Sequence, residues 1–599
     1  MRTMQRHFTA LLALGLAACN GGQPGSDESG GTTTGTSADA SETGGLSFPT
    51  SEVAPTSGGE TTGAGETTTM GDPTDSTTGE PDEPVDLAEW QDAIMYFVFV
   101  DRFNNGDPGN DAPIGPPVDP ETDYLGGDWR GITDKIEDGY FTDLGVDVLW
   151  LSVPIDNPAK GHPDLEEVHW YSAYHSYWPE RLDQPEEHFG SMDDLKALVD
   201  AAHGKGMRVV LDYAMNHVYV DSPVYTDHPE YFWPLEQDYD GVLKDCLCGH
   251  DCSWDEPTER KRCWFTPYLP DFNFTDPAAR AYSIDNAMWW ISETGIDGYR
   301  LDALKHIEDE WILEFRERVA QEVEPASGQH FYTVGETFTG DKELLKYYVD
   351  PGRMLDGQFD FPLRMSIAAT VLRRQRTEEG VDKPVSMMEL DKFLTDNEGF
   401  YEDGLMSNFL GNHDIPRVIH QAEDTPRWDN EWSGSGDEQW SAPPELPTGT
   451  SAFERLANAY TVMFALNGIP LIYYGDEIGM AGAGDPDNRR MMDFAADGYS
   501  EGQKLLLAHV RKVTSIRKQH RALSRGTRMT LSVSDDTYAF EKVDDESGDR
   551  VIVVVNRGDA PADVAGIPDG DYVDLLTDAA IAGGEVPVPA RSSMLLVAE

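Results

Sequence analysis

The chain has 599 residues, enough for several domains or for one large barrel with attachments. Apolar residues make up 39% and aromatic residues 10%, which excludes a chain disordered throughout. Lys and Arg total 45 against 109 Asp and Glu, and the formal net charge of −64 repels phosphate backbones and anionic headgroups, excluding nucleic-acid binding and polybasic membrane docking.

In chain order, Arg2, Arg6 and His7 precede an apolar run over residues 8–18 that is too short to span a bilayer. A basic start, a short apolar core and small residues predict a secretory signal over residues 1–18. The run closes on Leu16-Ala17-Ala18-Cys19, which resembles a bacterial lipobox and implies lipidation of Cys19. The protein is therefore expected to be exported and held at the bacterial cell envelope by that anchor, with no other membrane contact. Ordinary cleavage, with an incidental cysteine, would leave it secreted. Residues 19–85 contain no Lys or Arg and almost no large apolar residue, so they predict an unfolded acidic Ser/Thr/Gly linker. Two arginines and twelve acidic residues precede Asp86, so −54 of the charge belongs to residues 86–599.

From residue 94 onward, short apolar runs alternate with amphipathic stretches. Strands are predicted over residues 94–102, 146–153, 208–215, 298–302, 331–335, 355–361, 405–410 and 469–474. Near-continuous apolar runs suit parallel strands buried on both faces. Between the second and third, Ser191 is placed to cap a helix over 191–203, with Asp194 three residues on and Leu195, Leu198, Val199 and Ala202 forming one stripe. Eight such repeats predict an α/β fold, a TIM barrel over 86–526, with 216–276 inserted after the third strand. The insertion holds Cys246, Cys248, Cys252 and Cys263. In an exported chain these suggest two disulfides with three pairings open, Cys246–Cys248 being the least comfortable. A zinc site using His250 is the rival. From about Thr527 the helical period vanishes, and 527–599 predict a C-terminal antiparallel β-sandwich, with strands over 551–556 and 592–597.

Barrel chemistry gathers where strands end. Those ends carry Asp212, Asn216 and His217 after strand three; Arg300, Asp302, Lys305 and His306 after strand four; Glu336 after strand five; and His413 and Asp414 after strand seven. One carboxylate at a strand end is ordinarily a helix cap. Carboxylates converging from strands four, five and seven suit glycosidic cleavage, in which one carboxyl protonates the leaving oxygen and another attacks or activates water.

The motifs around these residues sharpen the reading. Gly145-Val-Asp-Val-Leu-Trp-Leu151, Asp212-Tyr-Ala-Met-Asn-His217, Leu269-Pro-Asp-Phe-Asn273, Gly298-Tyr-Arg-Leu-Asp-Ala-Leu-Lys-His306, Gly335-Glu336-Thr337, Phe409-Leu-Gly-Asn-His-Asp414 and Gly468-Ile-Pro-Leu-Ile-Tyr-Tyr-Gly475 occur in order. The set resembles the alpha-amylase family, glycoside hydrolase family 13, from about residue 90 to the C-terminus. The resemblance implies Asp302 as nucleophile of a covalent glycosyl-enzyme, Glu336 as acid and then base, and Asp414 as third carboxylate. Arg300 would orient Asp302, and Asp212 would belong to the substrate-binding set. His217 and His413 would bond the central sugar, and Tyr177 would stack on it. Lys305 and His306 would line the leaving-group side. The implied outcome is retaining, with the two reacting carboxyls roughly 5–5.5 Å apart.

One or two structural Ca²⁺ ions are implied as well. The first site would use Asn105, Asp107, Asn110, Asp111, the Gly126 carbonyl and Asp128, in a loop similar to that of neopullulanases and cyclodextrin glucanotransferases. The second would use Asn216, Asp271 and the His306 carbonyl. Oxygen-rich clusters suit this hard cation. Phe272 and Ser176 depart from the family's usual Leu and Gly. The expected activity is internal cleavage of alpha-1,4-glucan by a monomer. A cyclomaltodextrinase or neopullulanase, an alpha-glucosidase or a glucanotransferase is the alternative within the enzyme class. The C-terminal region is too short for the extra domains of cyclodextrin glucanotransferases. A noncatalytic glycan-binding lipoprotein is the reading outside that class.

Overall fold

The computed structural model describes residues 87–164, 167–239, 241–378, 381–428 and 438–599. The predicted signal, Cys19 and the linker lie outside the described residues.

Eight strands form at the expected places: β1 (Met95–Val98), β2 (Val148–Leu151), β3 (Arg208–Tyr213), β4 (Gly298–Leu301), β5 (Tyr332–Gly335), β6 (Gly357–Gln358), β7 (Ser407–Phe409) and β8 (Ile469–Tyr473). They run parallel in the order β6-β5-β4-β3-β2-β1-β8-β7. A parallel bridge between Phe359 and Ser407, with Asp360 N–H donating to the Ser407 carbonyl at 2.9 Å, brings the two ends of the sheet together. The result is a TIM barrel. Its strands are shorter than the apolar runs that announced them. β1 stops at Val98 because the Asp101 carboxylate turns inward to accept from Leu125 N–H and Gly126 N–H, winding residues 100–102 into a 3₁₀ turn.

The segments between strands follow their own local rules. Asp128 caps α1 (Trp129–Glu137), accepting from Gly131 N–H at 2.6 Å. Ser191 caps α2 (Met192–Gly204) in a reciprocal box with Asp194, and the predicted stripe of Leu195, Leu198, Val199 and Ala202 is buried. Gly206 follows at φ +76°, the left-handed backbone that turns the chain into β3.

Inside the barrel, neighbours in register point the same way. Phe97 pairs with Trp150 on one side and Tyr473 on the other. The Phe97 and Trp150 rings stack 3.7 Å apart, and Phe359 stacks on Trp150 at 5.2 Å. These rings make a dry floor across the barrel, and the polar residues stand above it.

The C-terminal strands are β9 (Thr527–Val533), β10 (Thr537–Asp544), β11 (Asp549–Asn556), β12 (Ala562–Asp574), β13 (Ala579–Val588) and β14 (Ser592–Ala598). They form one continuous antiparallel sheet in the order β9-β10-β11-β14-β12-β13. The predicted sandwich thus takes the form of a single sheet that curls over its own core, so that Gly566 of β12 approaches the Leu531 carbonyl of β9. Alternation on β11 explains why both faces are apolar. Val551, Val553 and Val555 join the core shared with the barrel, while Ile552 and Val554 join the sheet's own. α3 (Ser451–Phe464) makes the junction, with Asn458 donating to the Asn556 carbonyl at 3.1 Å and Thr461 Oγ1 lying 2.9 Å from Ser593 Oγ.

At the entry to β5, His330 lies 2.8 Å from Glu324 and 2.9 Å from Asp356. Burial opposes its charge, but the two carboxylates outweigh burial and raise it to about 9. A histidine raised above its unfolded value near 6.5 stabilises the fold fully below that pH, and the contribution fades as pH climbs through about 9. His330→Gln is therefore expected to lower the melting temperature at pH 6 by a few degrees, with the gap to wild type closing by pH 10. A gap that stays constant with pH would contradict this.

Candidate active site

The register of the barrel assembles the site. Arg300 on β4 pairs with Asp212 on β3 and with Val334 on β5, so Asp212 and Arg300 face inward together. Asp302 lies two residues beyond Arg300 and Glu336 two beyond Val334, which keeps both on that face. Backbone bonds hold the ends in place: Glu336 N–H donates to the Leu301 carbonyl at 2.9 Å and Asp302 N–H to that of Tyr213 at 3.1 Å. Ala303 then turns at φ +49°, an unfavourable angle for a residue with a side chain, and the chain enters Lys305 and His306.

One guanidinium joins the carboxylates. Arg300, fully buried, donates from Nη1 to Asp302 Oδ1 at 2.7 Å and to the Asp212 oxygens at 2.8 and 3.0 Å, and from Nη2 to Glu336 Oε2. Its charge sits 5.2 Å above the Trp150 ring of the aromatic floor. Tyr177 OH donates to Asp212 Oδ2 at 2.8 Å, which leaves His413 Nε2–H to donate to that hydroxyl at 2.9 Å. The Tyr177 and His413 rings stack 5.5 Å apart. His217 Nε2 is 2.9 Å from the Tyr177 carbonyl and donates to it. Ser176, where the family's usual residue is Gly, adopts φ +70°, which explains that preference.

Burial splits the protonation of these groups. It pushes Glu336 well above the ordinary carboxylate range, helped by Asp414, Asp302 and Asp212 and opposed by Arg300. Asp414 is raised by burial to about 7, with Arg489 and Arg300 pulling it back. Asp212 is raised to about 6, again by burial against Arg300. Burial holds His413 well below its usual value, so the ring is neutral. Glu336 is therefore placed to hold a proton, as the acid of such chemistry must.

On the other side of the cleft, Lys305 Nζ donates to the Phe338 carbonyl at 3.2 Å and approaches Asp255 at 3.8 Å. His306 Nδ1 donates to the Arg260 carbonyl at 2.8 Å, and its ring meets Trp254 and Phe265 edge-on at 5.4 and 4.9 Å. Trp254, Asp255 and Arg260 all lie on the segment laced by Cys246–Cys252 and Cys248–Cys263, the pairing the structure selects. The zinc alternative is overturned, since all four sulfurs are bonded in pairs and His250 is exposed in the turn between them.

Among the described residues, buried oxygens without a protein partner include members of both groups assigned to calcium. Asp271 is 1% exposed, yet neither carboxylate oxygen has a hydrogen bond, and Asn216 Oδ1 beside it is equally bare. Burial pushes Asp271 well above its usual range, and Glu308 adds to the effect. In the 105–128 loop, the buried Oδ1 atoms of Asn105 and Asn110 have no partner, and Asn105 Nδ2 donates to both Asp111 oxygens at 2.9 and 2.8 Å. A side chain at Gly126 would strike Asp111 Oδ1, so the loop closes tightly there. Asp107 and Asp128 are differently engaged. Asp107 pairs with Arg130 at 3.1 Å, and Asp128 accepts from three backbone N–H groups, including its cap on α1.

Arg489 and Asp485 lie beyond the strand ends that the motifs single out. Both are buried above the barrel after β8, and Arg489 reaches Asp414 and the His413 carbonyl. The signal was available, since Asp485-Pro-Asp-Asn-Arg489 puts several charges just beyond an apolar strand.

Comparison with known proteins agrees with this geometry. Residues 97–434 match the family described as alpha amylase, catalytic domain. A cyclomaltodextrin glucanotransferase of Bacillus sp. (strain 1-1) is 27% identical over 513 residues, 81% of this chain and 63% of that one. The chain thus spans less than two thirds of that relative's length. The alpha-amylase of Geobacillus thermoleovorans, solved with acarbose, is 27% identical with a TM-score of 0.66 over 85% of this chain and 98% of that one. CldA, a cyclomaltodextrin glucanotransferase of three domains, is 26% identical with a TM-score of 0.64 over 85% and 99%. The chain belongs to the alpha-amylase family and is an enzyme of its glycoside hydrolase and transferase class.

Proposed function

We propose that the protein is an alpha-amylase that cleaves internal alpha-1,4 bonds of starch-like glucans with retention of configuration. The observation that carries this reading is the single Arg300 guanidinium shared by Asp302 and Glu336, which holds the two carboxyl groups together at the end of the barrel while burial favours the proton on Glu336. Glu336 gives its proton to the glycosidic oxygen as Asp302 attacks the anomeric carbon, and the chain beyond the cut departs as an alcohol. Glu336, now a carboxylate, takes a proton from water, whose oxygen displaces Asp302 and restores the alpha configuration. Asp414, His413, His217 and Tyr177 hold the sugar at the cut, and Lys305 and His306 hold the departing part.

Calcium fits the bare oxygens of Asn216 and Asp271, with the His306 carbonyl, and those of Asn105 and Asn110, with the Asp111 carboxylate and the Gly126 carbonyl. Bound there, it would neutralise buried carboxylate and tie the disulfide-laced segment to the barrel. Cys19 would anchor a monomeric enzyme at the cell envelope.

A glucanotransferase is the second reading. Length does not exclude it, because CldA has three domains and is matched over 99% of its chain. Product analysis on starch, beta-cyclodextrin and maltotriose separates these activities. Linear oligosaccharides of mixed length, with iodine staining lost before reducing ends accumulate, are expected. Cyclic products would establish the transferase instead, glucose alone an alpha-glucosidase, and preferred cyclodextrin opening a cyclomaltodextrinase or neopullulanase. Binding without turnover would leave a glycan-binding lipoprotein.

A further inference from the structure

The helix Pro277–Thr294 turns Ser283 and Ala287 toward the barrel, where their carbonyls accept from Tyr213 OH at 3.0 Å and Tyr299 OH at 2.8 Å. Tyr282, one residue before Ser283, faces outward and is 39% exposed. Among the described residues, it and Tyr347 are the most exposed of the phenylalanine, tyrosine and tryptophan residues. Tyr347 OH donates to Asp309. Tyr282 has other rings beside it instead. The Tyr231 ring is 6.3 Å away at a tilt of 48°, and Tyr231 stacks on His228 at 4.6 Å with the planes 10° apart.

Tyr231 and His228 belong to the inserted segment. Pro229–Tyr231 form one 3₁₀ turn, with Tyr231 N–H donating to the His228 carbonyl at 3.0 Å. Phe232 is buried and stacks on Phe272 at 4.2 Å, and Asn273 N–H donates to the Tyr231 carbonyl at 2.8 Å. The turn is thus pinned from behind while the Tyr231 ring stays half-buried at the surface. Carboxylates rim the rings. Asp183 and Asp227 are exposed, and the Tyr282 hydroxyl is raised by partial burial and then by Asp183, Tyr231 and Asp227, so both carboxylates are within electrostatic reach of it. Glu230 Oε1 lies 3.1 Å from His228 Nδ1.

A group of rings left exposed on a folded surface marks a place where something binds. The rim selects what. Anionic polymers, and a second copy of this chain with its own −54 on residues 86–599, are repelled. A sugar chain is neutral, lays its C–H groups on ring faces and donates its hydroxyls to carboxylates. The 48° between the two tyrosine planes suits sugars that turn from one to the next, as in a coiled alpha-1,4 chain.

We propose that Tyr282, Tyr231 and His228 form a second alpha-glucan site on the outer flank of the barrel, apart from the inward-facing catalytic groups, which holds the enzyme on polymeric starch while the cleft works. The choice of an alpha-glucan rests on the functional reading above, but the site itself needs no turnover.

The test is adsorption of the full-length chain to granular starch, in an Asp302→Asn background so that the granules survive. Acarbose is added at the concentration that saturates the cleft, set by inhibition of the active enzyme. Tyr282→Ala and Tyr231→Ala, each checked for native folding by melting, are expected to weaken adsorption about tenfold, the scale of one lost anchoring ring. Tyr282→Phe keeps the ring and should adsorb like its parent. In the active background the same changes should leave kcat/KM on a soluble maltooligosaccharide unchanged, which separates loss of this site from damage to the cleft. Unchanged adsorption of both folded alanine variants would overturn the proposal. So would binding of an oligolysine peptide that depends on these rings while starch adsorption does not, which would assign the surface to a cationic partner. Should Tyr231→Ala fail to fold, Tyr282→Ala decides alone: weakened adsorption upholds the proposal and unchanged adsorption overturns it. Absence of turnover by the wild type on any alpha-glucan would refute the functional reading, whereas ring-dependent adsorption to starch would still uphold this site.

Discussion

Asp302→Asn is expected to lower kcat on soluble starch by about 10⁴-fold or more, the scale of losing a covalent nucleophile. The substitution keeps the size of the side chain and an oxygen for Arg300 Nη1, so the melting temperature should change little. What is lost is the attacking electron pair, because an amide oxygen cannot form the glycosyl ester. Glu336→Gln should behave differently. It removes a proton donor, so the loss is large on starch, whose leaving alcohol needs protonation, and much smaller on a maltosyl fluoride, which leaves unaided. The contrast between the two variants on the two substrates separates nucleophile from acid. Undiminished starch hydrolysis by Asp302→Asn would sink the assignment.

Removal of calcium is expected to have the second largest effect. A buried carboxylate with no hydrogen bond is strongly unfavourable, and both Asp271 oxygens are in that state beside a bare Asn216 oxygen. A cation present at a hundred times its dissociation constant would stabilise the fold by about 2.7 kcal/mol. The effect should reach activity too. Asn216 precedes His217, which bridges to Asp271 in the backbone and holds the Tyr177 carbonyl. Chelation is therefore expected to lower the melting temperature by several degrees and to reduce turnover, with calcium restoring both. Asp271→Asn should melt lower than wild type in calcium and respond less than wild type to the chelator, the remaining response belonging to the 105–128 loop. A protein that melts identically with chelator and with millimolar calcium would contradict this.

The barrel was legible because its strands are apolar on both faces and its helices carry caps, as Ser191 and Asp194 show. Strand ends were less legible. The run from 94 to 102 reads as one strand, but the inward turn of Asp101 depends on Leu125 and Gly126, far along the chain. The disulfide pairing was open for the same reason, since spacing alone does not show which sulfurs the surrounding segment brings together. The candidate site residues were named from motifs at strand ends, and the register of β3, β4 and β5 explains why Asp212, Arg300, Asp302 and Glu336 share one face. Arg489 was missed because its contact with Asp414 crosses from the segment after β8 to that after β7. A pattern read one strand at a time does not join them.

The large negative charge gains definition from these contacts. A few buried carboxylates share Arg300 and Arg489, whereas a neutral glucan feels little of the remaining surface field. On the function proposed above, activity rests on which carboxyl is protonated and which attacks.

That claim is tested most directly by trapping the intermediate. A maltosyl fluoride bearing a second fluorine, which slows release of the sugar, should leave one maltosyl group on the protein, and peptide mass spectrometry should place it on Asp302. A label on another residue, or turnover with inversion and no label, would contradict the account.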